Sequence, residues 1–333
     1  MEDINDFTLR PLRLDDFIGQ DELKQSLKVF IHGAKMRQES LDHILFYGPP
    51  GLGKTTLSGI IANELGVRIK VVNGASIART GDIATILSTL NPGDVLFIDE
   101  IHRIPLAVEE ILYGAMEDYK LSVAVGHDEK CKSLTIELAP FTLIGATTRQ
   151  GDISSPLRDR YGISMNLKYY TIDNLIEIIL RTSKVLQFPI SLSGAKLIAI
   201  RSRGTPRIAN KLFRRIRDFA CYYHKDSIDD DTVNATFKIL KIDEFGLDEI
   251  DNKYLRCLIE RFNNQPTGLS SIASAIGEQE RNLVEFYEPY LVQRGLINLT
   301  KRGRKCTRLA FEHIKKLEEN SREDSIKLLQ ENS

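Results

Sequence analysis

The chain has no tryptophan, four cysteines, six histidines and almost no net charge. Each scarcity excludes something. Cys131, Cys221, Cys257 and Cys306 lie far apart and form no CxxC pair. Neither a structural zinc site nor a secreted disulfide framework is expected, and the expected compartment is the reducing cytoplasm. Lys and Arg number 45 against 46 Asp and Glu, so no global field draws a polyanion, although a local basic patch still can. Long apolar runs are missing too. The start, MEDINDFTLR, lacks the apolar core of a signal peptide, and the longest uncharged stretch, Phe262–Gly277, is rich in Asn, Ser and Gly. No bilayer span is expected.

What is present is ordinary globular composition. The 333 residues, 42% hydrophobic and 27% charged, suffice for two or three domains with their own cores. The first part alternates short apolar runs with helical patterns. A helix is expected over Phe17–Met36, then strand His43–Tyr47, helix Thr55–Leu65, strand Arg68–Val72, helix Ala78–Leu90, strand Val95–Ile98, helix Leu106–Tyr119 and strand Phe141–Ile144. Continuous rather than alternating apolar strands imply a parallel sheet covered on both faces. Between the last two elements, Lys120–Val125 and Ser133–Leu138 are rich in β-branched residues and flank a polar tip, which predicts a projecting hairpin, Lys120 to Leu138.

From Thr171 the pattern becomes purely helical, with Thr205-Pro206 opening one helix as cap and first residue. Asp226, Asp229, Asp230 and Asp231 read as a solvated loop before the last of these helices. The remainder shows helical patterns at Lys253–Phe262, Leu269–Ile276 and Glu278–Leu291. Extended stretches at Leu296–Leu299 and Thr307–Ala310 then flank a basic turn, Lys301–Lys305. Three helices and a two-stranded wing describe a winged helix. The expected domains are thus 1–170, an α/β domain with the projecting hairpin; 171–250, a small helical domain; and 251–333, a winged helix whose tail from Glu318 is polar and expected to fray.

The chemistry is concentrated in the first domain. Gly48-Pro49-Pro50-Gly51-Leu52-Gly53-Lys54-Thr55 completes a phosphate-loop pattern between a strand and a helix. Its glycines let consecutive N–H groups turn towards phosphate oxygens at a helix N-terminus. Lys54 then reaches the β- and γ-phosphates, and the Thr55 hydroxyl suits Mg2+. Val95–Ile98 delivers Asp99, for the Mg2+ shell, and Glu100, to orient and deprotonate the attacking water. An acid pair can also merely cap the next helix, but the complete phosphate loop favours the chemical role. His102 fits a supporting or helix-start role. Thr148, after the strand Phe141–Gly145, is the candidate to monitor the γ-phosphate. In Ser155–Gly162, Arg158 or Arg160 can reach a phosphate held by a neighbouring subunit, and the residues alone leave that choice open. Arg207 sits in the first turn of a helix, where a cation opposes the helix dipole at a cost of about 0.3–1 kcal/mol. A bound phosphate would supply the reason for it.

With these residues in place, the chain resembles the RuvB family, the ATP-driven motors of Holliday-junction branch migration among the AAA+ ATPases. The resemblance runs from about Leu9-Arg10-Pro11 to Thr307. It is carried by Asp16–Gln20, Gly48–Thr56, Leu96–Arg103, Met116–Tyr119, Phe141–Arg149, Ser155–Gly162, Arg203–Asn210 and Glu288–Leu291. It implies a multidomain α/β AAA+ fold with a helical lid and a C-terminal winged helix. ATP and Mg2+ are the implied cofactors, and Thr56 joins the phosphate-loop contacts. Leu9, Arg10 and Pro11, with Ile18, would flank the adenine. Thr148 would be the first sensor, Arg207 the second, and Arg160 the arginine finger donated to the next subunit. The implied assembly is a homohexameric ring on duplex DNA, two rings per junction, with the RuvA junction-binding protein docked on the hairpin and the RuvC resolvase as a further partner.

Two basic runs qualify the neutral total. Lys301, Arg302, Arg304, Lys305 and Arg308 surround the wing turn without an acid among them, which suits phosphate contacts; DNA contact is therefore expected from Lys301, Arg302, Arg304 and Lys305. The run 201–217 lies mostly on one helix, where packing, snorkelling or subunit pairing by Arg214, Arg215 and Arg217 is the favoured reading, and only the wing is assigned to DNA. Alternative functions are a clamp loader, a replication-initiator-like AAA+ protein, or an ATP-controlled DNA-binding regulator. A pure regulator has no use for a water-activating base such as Glu100.

Overall fold

A computed structural model describes residues 9–125 and 132–331. The chain forms two compact units: one runs to Ala199 and adds Gly204–Arg214, and the other holds Ile200–Arg203 and the residues from Arg215 on.

In the first unit, α1 (Asp21–Arg37) precedes β1 (Ile44–Tyr47), α2 (Lys54–Leu65), β2 (Ile69–Asn73), α3 (Thr80–Ser88), β3 (Val95–Asp99) and α4 (Leu106–Glu117). A hairpin of β4 (Lys120–Val125) and β5 (Lys132–Glu137) follows, then β6 (Thr142–Thr147), the short α5 (Ser155–Asp159) and β7 (Ile163–Asn166). Strands β2, β3, β6, β1 and β7 make one sheet in that order, with every pairing parallel. The hairpin pairs Lys120 with Glu137 through to Val125 with Lys132, as expected, and its tip, 126–131, lies outside the described residues.

Burial explains which strands announce themselves. Val95–Ile98 of β3 and all six residues of β6 are buried, because α3, α4 and α5 pack an apolar core on one face of the sheet and further helices cover the other. Edge strand β7 alternates buried and exposed residues, Ile163-Ser164-Met165-Asn166. It is therefore the strand that apolar runs alone do not reveal. The register matters for function: Tyr47 pairs with Thr147, and Asn73 with Asp99. The carboxyl ends of β1, β3 and β6 therefore open on one edge, where parallel sheets place ligands.

The helical segment comprises α6 (Ile172–Val185), α7 (Leu192–Arg201), α8 (Pro206–Tyr222) and α9 (Asp230–Ile239). Asp229 caps α9 by accepting the Thr232 N–H, and Asp230 and Asp231 lie in its first turn, so the acidic stretch offsets the positive end of that helix.

In the second unit α10 (Glu249–Arg256) opens on a reciprocal cap between Asp248 and Asp251. A π-helical turn, Cys257–Arg261, continues it. Then come α11 (Leu269–Ile276), α12 (Glu280–Asn282), a second π segment (Leu283–Tyr287) and α13 (Glu288–Gln293). Arg203 is held here: Nε donates to Gly246 O at 2.8 Å, and Nη2 lies 2.5 Å from the buried carboxylate of Asp251.

The wing departs from expectation in register. β8 (Ile297–Thr300) pairs antiparallel with β9 (Gly303–Cys306), not with Thr307–Ala310, which leads instead into α14 (Arg308–Glu331). The reason is the tight turn at Thr300–Gly303. Gly303 has φ 134, the backbone bonds of Arg304 run to Thr267, and a side chain on Gly303 would strike Thr267. The tail from Glu318 continues α14, which runs to Glu331.

Candidate active site

The phosphate loop leaves β1 at Gly48, whose N–H donates to Thr147 O at 3.2 Å. Gly48 (φ 134), Gly51 (φ 80) and Gly53 (φ 102) occupy backbone conformations that side chains disfavour. Space forbids them as well: a Cβ on Gly48 would sit 2.5 Å from Leu167 O, and one on Gly51 would sit 3.0 Å from Arg207 Cβ. Leu52 is fully buried, and its carbonyl accepts from the Tyr170 hydroxyl at 3.1 Å, which anchors the middle of the loop. Lys54 opens α2, and its Nζ donates to Gly48 O and Pro49 O, both at 2.8 Å. Burial pushes this ammonium down to about 8, against the opposing pull of Asp99.

Asp99 ends β3 and meets the loop: the Thr55 hydroxyl lies 3.5 Å from Asp99 Oδ2, while Oδ1 accepts the Glu100 N–H at 3.0 Å. Glu100 adopts φ 54, a left-handed turn that redirects its side chain at the strand end, with Arg103 3.6 Å away. His102 sits in the following turn, and its Nδ1 lies 2.9 Å from Thr147 Oγ1, the residue before Thr148. Burial lowers the His102 pKa, which favours the neutral ring. His102 thus supports the sensor strand, while Thr148 itself is exposed to the cleft.

One cleft gathers these groups. Leu9, Arg10, Pro11, Ile18, Pro50, Gly51, Gly53, Lys54, Thr55, Thr56, Asp99, Glu100, Thr148 and Arg207 all line it. Gly48, Pro49 and Leu52 instead support the loop from behind. Arg207 is the second residue of α8, and its N–H approaches Gly51 O at 3.4 Å. Asn210 and Arg214 follow at i+3 and i+7 on the same helical face and line the cleft with it. Phe17 and Asn210 lie inside the stretches Asp16–Gln20 and Arg203–Asn210 but have no assigned role there, and Tyr170, Arg181 and Arg214 lie outside every motif. Arg181 donates to Leu9 O at 3.0 Å across 172 residues, and the Thr182 hydroxyl bonds Asn210 Oδ1 at 2.8 Å. Helical spacing from Arg207 would have found Asn210; nothing local signals Arg181.

Arg160 stands apart, outside the cleft lining. At the C-terminus of α5, it donates to Pro156 O (2.8 Å) and Glu117 Oε2 (3.0 Å), and it covers the ring of Tyr113 at 4.6 Å. Arg158 is exposed.

The wing residues divide. Lys301, Arg302 and Lys305 are exposed. Arg304 turns inward: Nε and Nη2 bind Glu288 at 2.8 and 3.1 Å, and Glu288 also accepts the buried Tyr254 hydroxyl at 2.8 Å. Its guanidinium is thus committed to the core of the unit rather than presented at the wing tip.

A phosphate loop, adjacent acids, a polar sensor and a helix-borne arginine around one cleft of a five-stranded parallel sheet define an ATP-binding AAA+ protein. A helical lid and a winged helix follow it in the chain. Residues 9–167 match the family described as the Holliday junction DNA helicase RuvB P-loop domain. Residues 170–243 match the RuvB AAA lid domain, and 244–315 the RuvB C-terminal winged helix domain. The chain belongs to the RuvB family. It is 52% identical over 311 residues to the Holliday junction branch migration complex subunit RuvB of Staphylococcus saprophyticus, covering 93% of each chain. It is also 52% identical over 309 residues to the protein of that name from Lawsonia intracellularis, covering 93% of this chain and 91% of the other. The solved structure of Thermotoga maritima RuvB, titled a Holliday junction branch migration motor, superposes with a TM-score of 0.84 at 47% identity. That match covers 92% of this chain and 98% of the other.

Proposed function

We propose that this chain is an ATP hydrolase that drives branch migration of Holliday junctions by translocating duplex DNA. The observation that carries this reading is the joint placement of Lys54, Glu100, Thr148 and Arg207 on one cleft in a chain of the RuvB family. Lys54 supplies fixed positive charge to the β- and γ-phosphates, and the loop amides bind their oxygens. Glu100 aligns the attacking water and takes its proton. Thr148 and Arg207 hold the γ-phosphoryl from two sides, so its loss is felt at both β6 and α8. Thr55 and Asp99 are a hydroxyl and a carboxylate of the hard oxygen type that Mg2+ prefers, and they would hold that ion. When bound, Mg2+ offsets phosphate charge.

Arg160 acts in trans. It lies outside its own cleft, and a subunit ring puts it at the neighbour's γ-phosphate, which makes a homohexamer the working form. Lys301, Arg302 and Lys305 contact duplex phosphates without reading bases. The Lys120–Leu138 hairpin docks on a RuvA-type junction-binding protein, with a RuvC-type resolvase as a further partner, in the cytoplasm. Mixing variants tests the trans arrangement. Arg160→Ala and Lys54→Ala should each be inactive alone, the former by at least ~10²-fold. Activity should return in mixed rings, where an intact phosphate loop sits beside an intact Arg160. Near-parental turnover by Arg160→Ala would refute it, and Arg158→Ala in parallel settles which arginine serves.

A further inference from the structure

Glu109, Tyr113 and Glu117 lie one helical turn apart on a single face of α4. The Tyr113 hydroxyl is 3.2 Å from Glu109 Oε2 and 3.1 Å from Ser154 Oγ, and the Ser154 hydroxyl itself donates to Glu109. Glu109 is only 5% exposed, an acid kept inside the protein by two hydroxyl donors. Ser154 is also the N-cap of α5, the helix that ends at Arg160. The ring so fixed carries the Arg160 guanidinium 4.6 Å above its centre, while Glu117 and Pro156 O hold the two terminal nitrogens. The remaining nitrogen, Nε, is buried against this surface with no partner among the described residues. The guanidinium is therefore oriented by a ring face, and the ring by a buried carboxylate.

We infer that Tyr113 is the positioning residue for Arg160, a platform held by Glu109 and Ser154 that aims the guanidinium out of its own subunit. This rests on the proposed action of Arg160 in trans. A long arginine side chain samples many rotamers, and a donor acting across a subunit boundary contributes only while it is aimed. Tyr113 is not among the described residues that line its own subunit's cleft, so its influence should fall on the neighbour's site.

The test is steady-state ATP hydrolysis in the presence of duplex DNA. Tyr113→Leu should lower kcat about 10-fold, the size of one cation–π contact, and leave KM for ATP within about twofold. Tyr113→Phe keeps the ring but loses its tie to Glu109 and Ser154, so its kcat should fall between those of the parent and Tyr113→Leu. Mixed with Lys54→Ala, the Tyr113→Leu protein should regain activity, whereas mixed with Arg160→Ala it should not. A residue needed only for the fold, or for its own subunit's site, would not produce this pattern. Should Tyr113→Leu fail to form rings, Tyr113→Met is read in the same assay. Parental kcat for the Leu or Met variant beside a slow Arg160→Ala overturns the inference alone, as does absence of recovery in mixed rings verified by light scattering. Parental turnover by Arg160→Ala removes the trans reading and this inference together.

Discussion

Replacing Arg304 with alanine should destabilise the C-terminal unit far more than it weakens DNA binding. The Glu288 side chain is 4% exposed, and Arg304 supplies two of its donors, at 2.8 and 3.1 Å. The third, the Tyr254 hydroxyl at 2.8 Å, would be left alone with a carboxylate in an apolar core that includes Leu255, Leu258 and Leu291. Removing one partner of a buried ion pair typically costs 3–5 kcal/mol. The Arg304 side chain is 22% exposed and the tyrosine bond survives, so a loss of about 2–3 kcal/mol is expected. At about 4 °C per kcal/mol for a unit of this size, that lowers its Tm by roughly 10 °C. Scanning calorimetry is the assay, since the chain lacks tryptophan. Adding Glu288→Gln to Arg304→Ala should restore part of the loss, because the stranded charge is gone. Arg302→Ala is the control: unchanged Tm, but a salt slope of duplex binding lower by about one. Parental melting of Arg304→Ala, or a lowered salt slope with no change in Tm, would refute this division of the wing.

Lys54→Ala should abolish hydrolysis and weaken ATP binding, checked by equilibrium nucleotide binding and phosphate release. His43 predicts a pH dependence. Its Nδ1 accepts the Leu143 N–H at 2.9 Å, its Nε2 faces Met116 O at 3.1 Å, and burial holds its pKa below the ordinary 6.5. The unfolded chain gains a proton near pH 6.5 that the native ring resists, so this stability is present above 6.5 and lost as pH falls through the depressed native value. Tm measured from pH 7.5 to 5 should fall, and His43→Gln should fall less; parallel curves would contradict the assignment. Shortening Gly126–Lys132 to a two-residue turn should preserve DNA-independent ATPase and abolish capture of a RuvA-type partner in a pull-down.

What the sequence discloses follows from how local each constraint is. The phosphate loop and the Asp99-Glu100 pair are contiguous, and their chemistry dictates spacing, so they are legible without a fold. Strands β1, β3 and β6 are legible because burial on both faces requires unbroken apolar runs. Edge strand β7 needs only every second residue apolar, and four residues are too few to show a period. The wing register hides for a similar reason: Gly303 reads as a turn centre, yet its contact with Thr267 makes it the first residue of a strand. The second strand thus begins four residues earlier than expected, at Gly303 rather than Thr307, and this turns Arg304 from a tip cation into the partner of Glu288. The π segments at Cys257–Arg261 and Leu283–Tyr287 carry no composition of their own. Arg181, joined to Leu9 across 172 residues, exists as a site residue only once the chain has folded.

The most direct test of the whole proposal is strand exchange on a synthetic four-way junction with homologous arms, followed on native gels with ATP, Mg2+ and a RuvA-type partner. The parent protein should convert the junction to two duplexes in proportion to ATP consumed. Glu100→Gln should bind ATP and the junction yet produce no duplex, because only the water-activating group has been changed. ATP turnover by the parent with no movement of the branch point, or duplex release by Glu100→Gln at the parental rate, would contradict a hydrolysis-driven junction motor.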